Sequence, residues 1–199
     1  VIVIDNFISG KKSNLSHHSK KNVKIVKLDI SKDKNLSKHF KGVNYVFHLA
    51  GLAEIIPSIK DPAKYFITNT LGTLNILEAT KKIKIKKFIY AASSSCYGKT
   101  KKIPTKESDK IDTMNPYSLT KFLGEELVIK YAKLYNMPNI SCRFFNVYGP
   151  RLNTKGKYAA VFSIFLKQKK TNKPLTIVGN GRQTRDFIHV DDLINAFFK

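Results

Sequence analysis

The sequence predicts an α/β chain built on a doubly wound, mostly parallel sheet. Short β-branched or apolar runs recur along the 199 residues, each ending in small or polar residues, and stretches of helical periodicity separate them. Strands that alternate with helices build βαβ units, whose sheet is covered on both faces. The chain is 42% hydrophobic, enough for one sizeable core, and has no apolar run long enough to span a bilayer.

Val1-Ile2-Val3-Ile4 reads as the first buried strand. It ends in Asp5-Asn6, where an acidic residue can hold ribose hydroxyls, or where two turn-forming residues simply close the strand. Polar residues 9–22 read as a loop, and Val23 to Leu28 as the next strand, ending at Asp29-Ile30. A short helix is expected over 31–42. The strand from Val43 runs through His48-Leu49-Ala50-Gly51, whose small residues let a backbone approach a ligand, or make a tight turn. His48 reads as a buried, hydrogen-bonded histidine. A long helix is expected over 62–82, with Asn69 inside it, ligand-binding or solvated.

Lys87 to Ala92 is the next strand, ending in Ser93-Ser94-Ser95-Cys96-Tyr97-Gly98. Hydroxyls at a strand's carboxyl end face the crevice where open α/β sheets bind ligands; a polar turn is the plain alternative. Asn115-Pro116 then opens a helix, Asn as cap and Pro in the first turn. Leu119, Leu123, Leu127, Tyr131 and Leu134 supply its apolar period. Tyr117 and Lys121 lie one turn apart on it. An ammonium beside a phenol is expected to lower the phenol pKa and suit it for proton transfer. With 9 tyrosines and 32 lysines, roughly one or two Tyr-x-x-x-Lys matches arise by chance. The second match, Tyr97 and Lys101, falls in a polar loop.

Strands are also expected from Ile140 to Phe145 and over Leu175-Thr176-Ile177-Val178-Gly179, and helices over 158–170 and after Asp191-Asp192. The net charge of +22 admits a nucleic-acid binder, but the lysines are dispersed and no recognised module appears, so the charge reads as a solvated, lysine-rich surface. The two cysteines, Cys96 and Cys142, have neither metal-ligand nor disulfide spacing and fit a reducing cytoplasm.

Taken together and in order, Asp5-Asn6, Asp29-Ile30, His48-Leu49-Ala50-Gly51, Asn69, Ser93 four residues before Tyr97-Gly98, Tyr117 with Lys121, Arg143-Phe144-Phe145-Asn146 and Thr184-Arg185-Asp186-Phe187-Ile188-His189-Val190 resemble the extended short-chain dehydrogenases/reductases. Within them the chain is most similar to NAD-dependent UDP-sugar 4-epimerases. The resemblance implies a Rossmann-like fold, NAD as cofactor, a UDP-sugar substrate and a homodimer joined by the helices at 62–82 and 116–135, with no nucleic acid or membrane as partner. It implies that Asp5 and Asn6 hold the adenosine ribose, Asp29 and Ile30 the adenine, and Leu49, Ala50 and Gly51 the pyrophosphate and nicotinamide side, with Asn69 nearby and Phe144 against the nicotinamide. Ser93 would bond the sugar hydroxyl, Tyr117 take its proton, and Lys121 hold the nicotinamide ribose. Asn146, Val161, Thr176, Val178 and Arg185 would contact the UDP-sugar.

The family's first strand and its Gly-x-x-Gly-x-x-Gly turn are not in the 199 residues, nor is the final third of its substrate domain. Residues 1–150 are therefore expected to be a dinucleotide-binding part lacking its opening, and 151–199 the start of the substrate-binding region; the 199 residues alone are not expected to be active. A dehydratase or decarboxylase of the same family, or a non-catalytic NAD-binding scaffold, is the alternative. The dehydratases' Asp and Glu are replaced here by Ser94 and Ser95, which favours epimerisation. Which sugar is inverted is not encoded in these motifs.

Overall fold

A computed structural model of the chain describes residues 1–19, 21–33, 35–100, 103–151 and 161–199. It forms two compact units, Val1–Arg143 and Phe144–Lys199.

In the first unit, strands β1 (Ile2–Asp5) and β2 (Lys24–Lys27) pair in parallel, Ile2 opposite Lys24 and Asp5 opposite Lys27. Strand β3 (Tyr45–His48) pairs in parallel with β4 (Lys87–Ser93), and β5 (Asn139–Phe144) lies on the other side of β4. Six of the seven β4 residues are buried, as expected of a central strand with a continuous apolar run. Phe88 and Tyr90 of this strand join Leu77 and Val128 at the centre of the core.

Helix α4 (Pro116–Tyr135) packs on β4. The Asn115 side chain accepts from Ser118 N at 2.9 Å, and Ser118 Oγ accepts from Asn115 N at 3.2 Å, a reciprocal cap for the first turn. Asn136, at φ 51°, ends the helix in the left-handed conformation that Asn tolerates. The apolar period predicts the helix correctly but not its buried face. Leu119, Leu123, Leu127 and Tyr131 are only half-buried and Leu134 is 72% exposed. The buried positions are Ser118, Thr120, Lys121, Gly124, Glu125 and Val128. The reason is steric. A Cβ on Gly124 would stand 2.2 Å from Tyr90 Oη, so only a small, polar stripe admits the buried tyrosine.

Other expectations need correction. The stretch 62–82 is not one uniform helix: α2 (Pro62–Tyr65) leads into a π-helical segment (Phe66–Leu71) and then α3 (Gly72–Thr80). A preceding helix, α1 (Ile55–Lys60), has no sequence signal strong enough to find it, because its isoleucines are exposed rather than periodic on a core. The helix expected over 31–42 is one 3₁₀ turn, Leu36–His39, and the loop over 9–22 contains another, Lys12–Leu15. Tyr97 is not in a solvated loop: it is buried in the 3₁₀ turn Ser94–Tyr97, while Lys101 lies outside the described residues.

In the second unit, β6 (Asn146–Tyr148) pairs in parallel with β7 (Phe187–His189). Helices α5 (Val161–Lys170) and α6 (Val190–Phe197) complete its regular structure, and residues 158–160 of the expected helix lie outside the described residues. The strand expected over 175–179 does not form. Ile177 and Val178 are 70% and 78% exposed and find no partner strand among the described residues, and an isolated β-branched run has no ladder to make it a strand. Among the described residues no helix is long and apolar enough to cross a membrane.

Gly124→Ala gains helix propensity but drives a methyl into Tyr90. We expect a net loss of about 1–3 kcal/mol, read as a lower urea midpoint at unchanged slope.

Candidate functional site

The carboxyl end of β4 and the first turn of α4 meet at Ser93 and Tyr117. Ser93 ends its strand in extended conformation and its hydroxyl accepts from Ser95 N at 3.2 Å, starting the 3₁₀ turn. Tyr117 Oη donates to Ser93 Oγ at 3.2 Å, and Ser93 Oγ lies 2.8 Å from Ser95 Oγ. Tyr117 N donates to Ser58 Oγ at 3.1 Å, so α1 seats the start of α4.

Lys121, one turn along, is 7% exposed, and its ammonium sits 4.5 Å from the centre of the Tyr90 ring. Burial lowers its pKa from 10.5 to about 8. The expectation that Lys121 lowers the Tyr117 pKa is overturned here. Burial raises the Tyr117 phenol above 10, and the Ser93 and Ser95 side chains only oppose that rise. The loss of water around the phenolate sets the direction, and the same burial disfavours the Lys121 charge. His48 is 4% exposed, and burial, then the Lys121 charge, lowers its pKa to about 3. It is neutral and structural, as its sequence context predicts. Thr73 donates to Asn69 O at 2.5 Å, so its oxygen accepts from His48 Nε2 at 2.9 Å, which fixes the tautomer.

The serine turn is held from behind. Arg143 on β5 donates through Nε and Nη2 to the 2%-exposed Glu125 carboxylate, at 3.0 and 2.6 Å, and through Nη1 to Tyr97 Oη at 2.7 Å. The pair holds the guanidinium firmly charged, its pKa raised above the ordinary value. Glu125 also accepts from Ser141 Oγ at 3.0 Å. Neither the Glu125–Arg143 pair nor its link to Tyr97 is legible in the sequence, because an ion pair 18 residues apart on a helix and a strand leaves no periodic trace.

Around this centre stand the other residues of the first unit. Asn69 is 1% exposed, so it is not solvated. Its side chain bonds Leu52 N at 2.7 Å, Leu52 O at 3.0 Å and Thr120 Oγ1 at 3.1 Å. It therefore pins the turn after β3, and the π-helical segment aims it there. Gly51 lies in that turn, where a Cβ would come 3.1 Å from Asn69 Oδ1 and 3.7 Å from Lys121 Nζ. Leu49 and Ala50 are exposed at the end of β3. Asp5 Oδ1 accepts from Phe7 N at 2.6 Å, and Asn6 Nδ2 donates to Asp29 Oδ2 at 3.3 Å, which links the ends of β1 and β2. The Ser31 hydroxyl and N–H hold the Asp29 carboxyl below its usual range, and the adjacent Ile30 is buried.

In the second unit a cleft of about 230 Å³ is lined by Asn146, Val161 and Arg185 with the aromatic rings of Tyr148, Phe162 and Phe187. Thr176 and Val178 do not line it: Thr176 is bonded by Gln168, and Val178 O accepts from Gln183. Phe144 packs against Phe197 at 5.8 Å between ring centres. The aromatic lining was missed because its rings come from three separate elements. No cluster of metal-ligating side chains occurs among the described residues.

A Rossmann-like sheet whose buried helix sets a Tyr and a Lys opposite a strand-end Ser defines a short-chain dehydrogenase/reductase. The chain belongs to the NAD dependent epimerase/dehydratase family, whose model matches residues 1–199. It is similar to the UDP-N-acetylglucosamine 4-epimerase of Methanobrevibacter ruminantium M1, solved with UDP-N-acetylmuramic acid, at 35% identity and a TM-score of 0.94, covering 98% of this chain and 63% of that one. It is also similar to the UDP-glucose 4-epimerase of Thermotoga maritima, solved with UDP-glucose, at 33% identity and a TM-score of 0.90, with coverage of 98% and 63%. A UDP-glucuronic acid decarboxylase of Arabidopsis thaliana is 32% identical over 100% of this chain and 44% of its own length. The chain thus spans about 63% of the solved relatives.

The Lys121 shift has a sign that can be checked. The folded pKa of about 8 lies below the unfolded 10.5, so between these values the unfolded state binds more protons and stability rises with pH. Relative to Lys121→Met, the wild-type chain should gain about 3 kcal/mol from pH 8 to 10.5, and at pH 7 the variant should be the more stable. Urea unfolding of both proteins across that range measures it.

Proposed function

We propose that the full-length protein is an NAD-dependent UDP-sugar 4-epimerase and that Tyr117 is its acid–base group. The observation that carries the reading is the contact of Tyr117 Oη with Ser93 Oγ beside the buried Lys121 ammonium. The residues present also fit a dinucleotide. Lys121 is a buried cation whose described neighbour is a ring, not a carboxylate, and it faces a turn where Gly51 leaves room. Lys121 would hold the nicotinamide ribose; Asp5 and Asn6 would hold the adenosine ribose, and Asp29 with Ile30 the adenine. Gly51, Ala50 and Leu49 would line the pyrophosphate side, with Asn69 acting through that turn rather than on the ligand. Bound NAD⁺ supplies a hydride acceptor at C4 and returns the hydride.

The protein's own part is proton transfer and position. Tyr117 takes the C4 hydroxyl proton as the carbonyl forms and gives it back on reduction. Ser93, already bonded to Tyr117, would stand against the same oxygen. Lys121, one helical turn from Tyr117, would stabilise the phenolate once a ligand completes its surroundings. In the second unit Arg185 suits a diphosphate by charge and fork geometry, and Asn146 and Val161 share its cleft. Ser94 and Ser95 stand where elimination would need a carboxylate pair, which favours epimerisation over dehydration or decarboxylation.

Tyr117→Phe in the full-length protein should lower turnover roughly 10²–10⁴-fold with folding intact. NMR of the wild-type reaction should show axial and equatorial C4 signals interconverting, with no C6 methyl doublet. A methyl doublet, or a variant of wild-type activity, overturns the reading.

A homodimer is the second proposal. Ile55, Ile56 and Ile59 on α1 and Ile67 and Leu71 on the π-helical segment are 40–60% exposed, and the half-buried leucines of α4 add to this apolar surface. A second copy is the occupant the family resemblance implies. Sedimentation should give twice the monomer mass, and Ile59→Lys should shift it toward monomer.

A further inference from the structure

The hydrogen-bond capacity of Ser93 gives Ser95 a role. A hydroxyl has one proton to donate and two lone pairs to accept with. Ser93 Oγ accepts from Tyr117 Oη and from Ser95 N, both at 3.2 Å, which fills both lone pairs. Its own proton is then left for Ser95 Oγ, 2.8 Å away. With Tyr117 neutral, the bonds run from Tyr117 to Ser93 to Ser95.

We propose that Ser95 is a positioning residue, the far end of a reversible hydroxyl chain Ser95–Ser93–Tyr117 that serves the phenol in both protonation states. This rests on the reading of Tyr117 as the acid–base group. When Tyr117 has given its proton to the sugar oxygen, the phenolate donates nothing. Ser93 turns its hydrogen to the phenolate, and Ser95 turns its hydrogen to the lone pair that this leaves open. Each hydroxyl hydrogen stays on its own oxygen, and the only proton transferred is the one exchanged between Tyr117 and the sugar. Both rotations reverse when the proton returns.

The two states do not lose equally if the Ser95 hydroxyl is removed. In the neutral state the missing bond joins two uncharged groups. In the ionised state it is the outer bond of a charge-polarised pair, which is the stronger kind. Loss of Ser95 Oγ therefore penalises the phenolate more. The other groups near the phenol do not supply a substitute donor. Lys121 on α4 has its ammonium over the Tyr90 ring, and His48 on β3 is neutral with its Nε2 engaged by Thr73. The phenols of Tyr65 on α2 and Tyr90 on β4 are themselves raised in part by the Tyr117 charge rather than acting on it, and Tyr90 Oη donates to Lys121 O. A plain turn-forming role is separable, because the turn uses Ser95 N–H, which Ser95→Ala keeps.

The test needs no activity. The 199-residue chain is labelled with 3-fluorotyrosine, whose phenol ionises at lower pH than tyrosine, and the Tyr117 signal among the 9 is assigned with Tyr117→Phe by ¹⁹F NMR. In Ser95→Ala the Tyr117 midpoint should move to higher pH, and in Ser95→Thr it should stay at the wild-type value. A midpoint that is unmoved or lowered in Ser95→Ala overturns the proposal, as does failure of Thr to restore it. In the full-length enzyme Ser95→Ala should move the rising limb of the turnover profile to higher pH, lowering kcat about three- to tenfold near neutrality with KM little changed. A shifted ¹⁹F midpoint in a protein without epimerase activity would leave the hydroxyl chain standing and overturn the functional reading instead.

Discussion

Lys121 carries its charge where water barely reaches, and much of the first unit follows from that one placement. An ammonium removed from water favours its neutral form, so its pKa falls. Its surroundings soften the cost without a buried carboxylate: the face of the Tyr90 ring gives a cation–π contact, and Tyr90 Oη itself donates to the Lys121 carbonyl. Tyr90 fits only because Gly124 follows Lys121 on the same helix. The same charge helps keep His48 neutral, which suits a ring that donates to Thr73. A well-packed apolar residue at 121 would be more stable, so the buried lysine costs the fold stability where it stands.

The second constraint is the Arg143–Glu125 pair. A carboxylate 2% exposed would be intolerable alone, but two guanidinium bonds and the Ser141 hydroxyl satisfy it. Through Tyr97 the guanidinium reaches the turn that carries Ser93. Helix α4, strand β5 and the serine turn are thereby tied at one point, and the geometry between Ser93 and Tyr117 inherits that rigidity. The π-helical segment does similar work on the other flank, where one extra residue per turn aims Asn69 at the backbone of Leu52.

These ties explain why Tyr117 has a raised pKa. The site is dry before any ligand enters, and a dry phenol holds its proton. Two serine hydroxyls oppose that, and the closed polar network around them leaves little freedom for the turn to relax. In the proposed reaction, proton exchange at Tyr117 depends on hydrogen bonds that reverse direction rather than on a permanently ionised base.

By itself the sequence determined the alternation of strands and helices, the cap and length of α4, the Tyr117–Lys121 spacing, and the order of motifs that assigns the family. Those are local or periodic properties, written in neighbouring residues and in backbone propensity. Its apolar pattern also marked β4 as a buried strand, because a strand covered on both faces must be apolar throughout. The tertiary structure decided which face of α4 is buried, since Tyr90 leaves no room for a side chain at Gly124, and Leu127 and Tyr131 pack on the core only from its edge. It decided that residues 175–179 stay out of a sheet, since a strand exists only where another strand receives its hydrogen bonds. It also decided that Tyr97, Glu125 and Arg143 form one buried network and that Ser95 stands behind Ser93. Burial and long-range pairing are properties of the assembled fold: they set the pKa of Tyr117 against its helical neighbour, and no spacing in the chain records them.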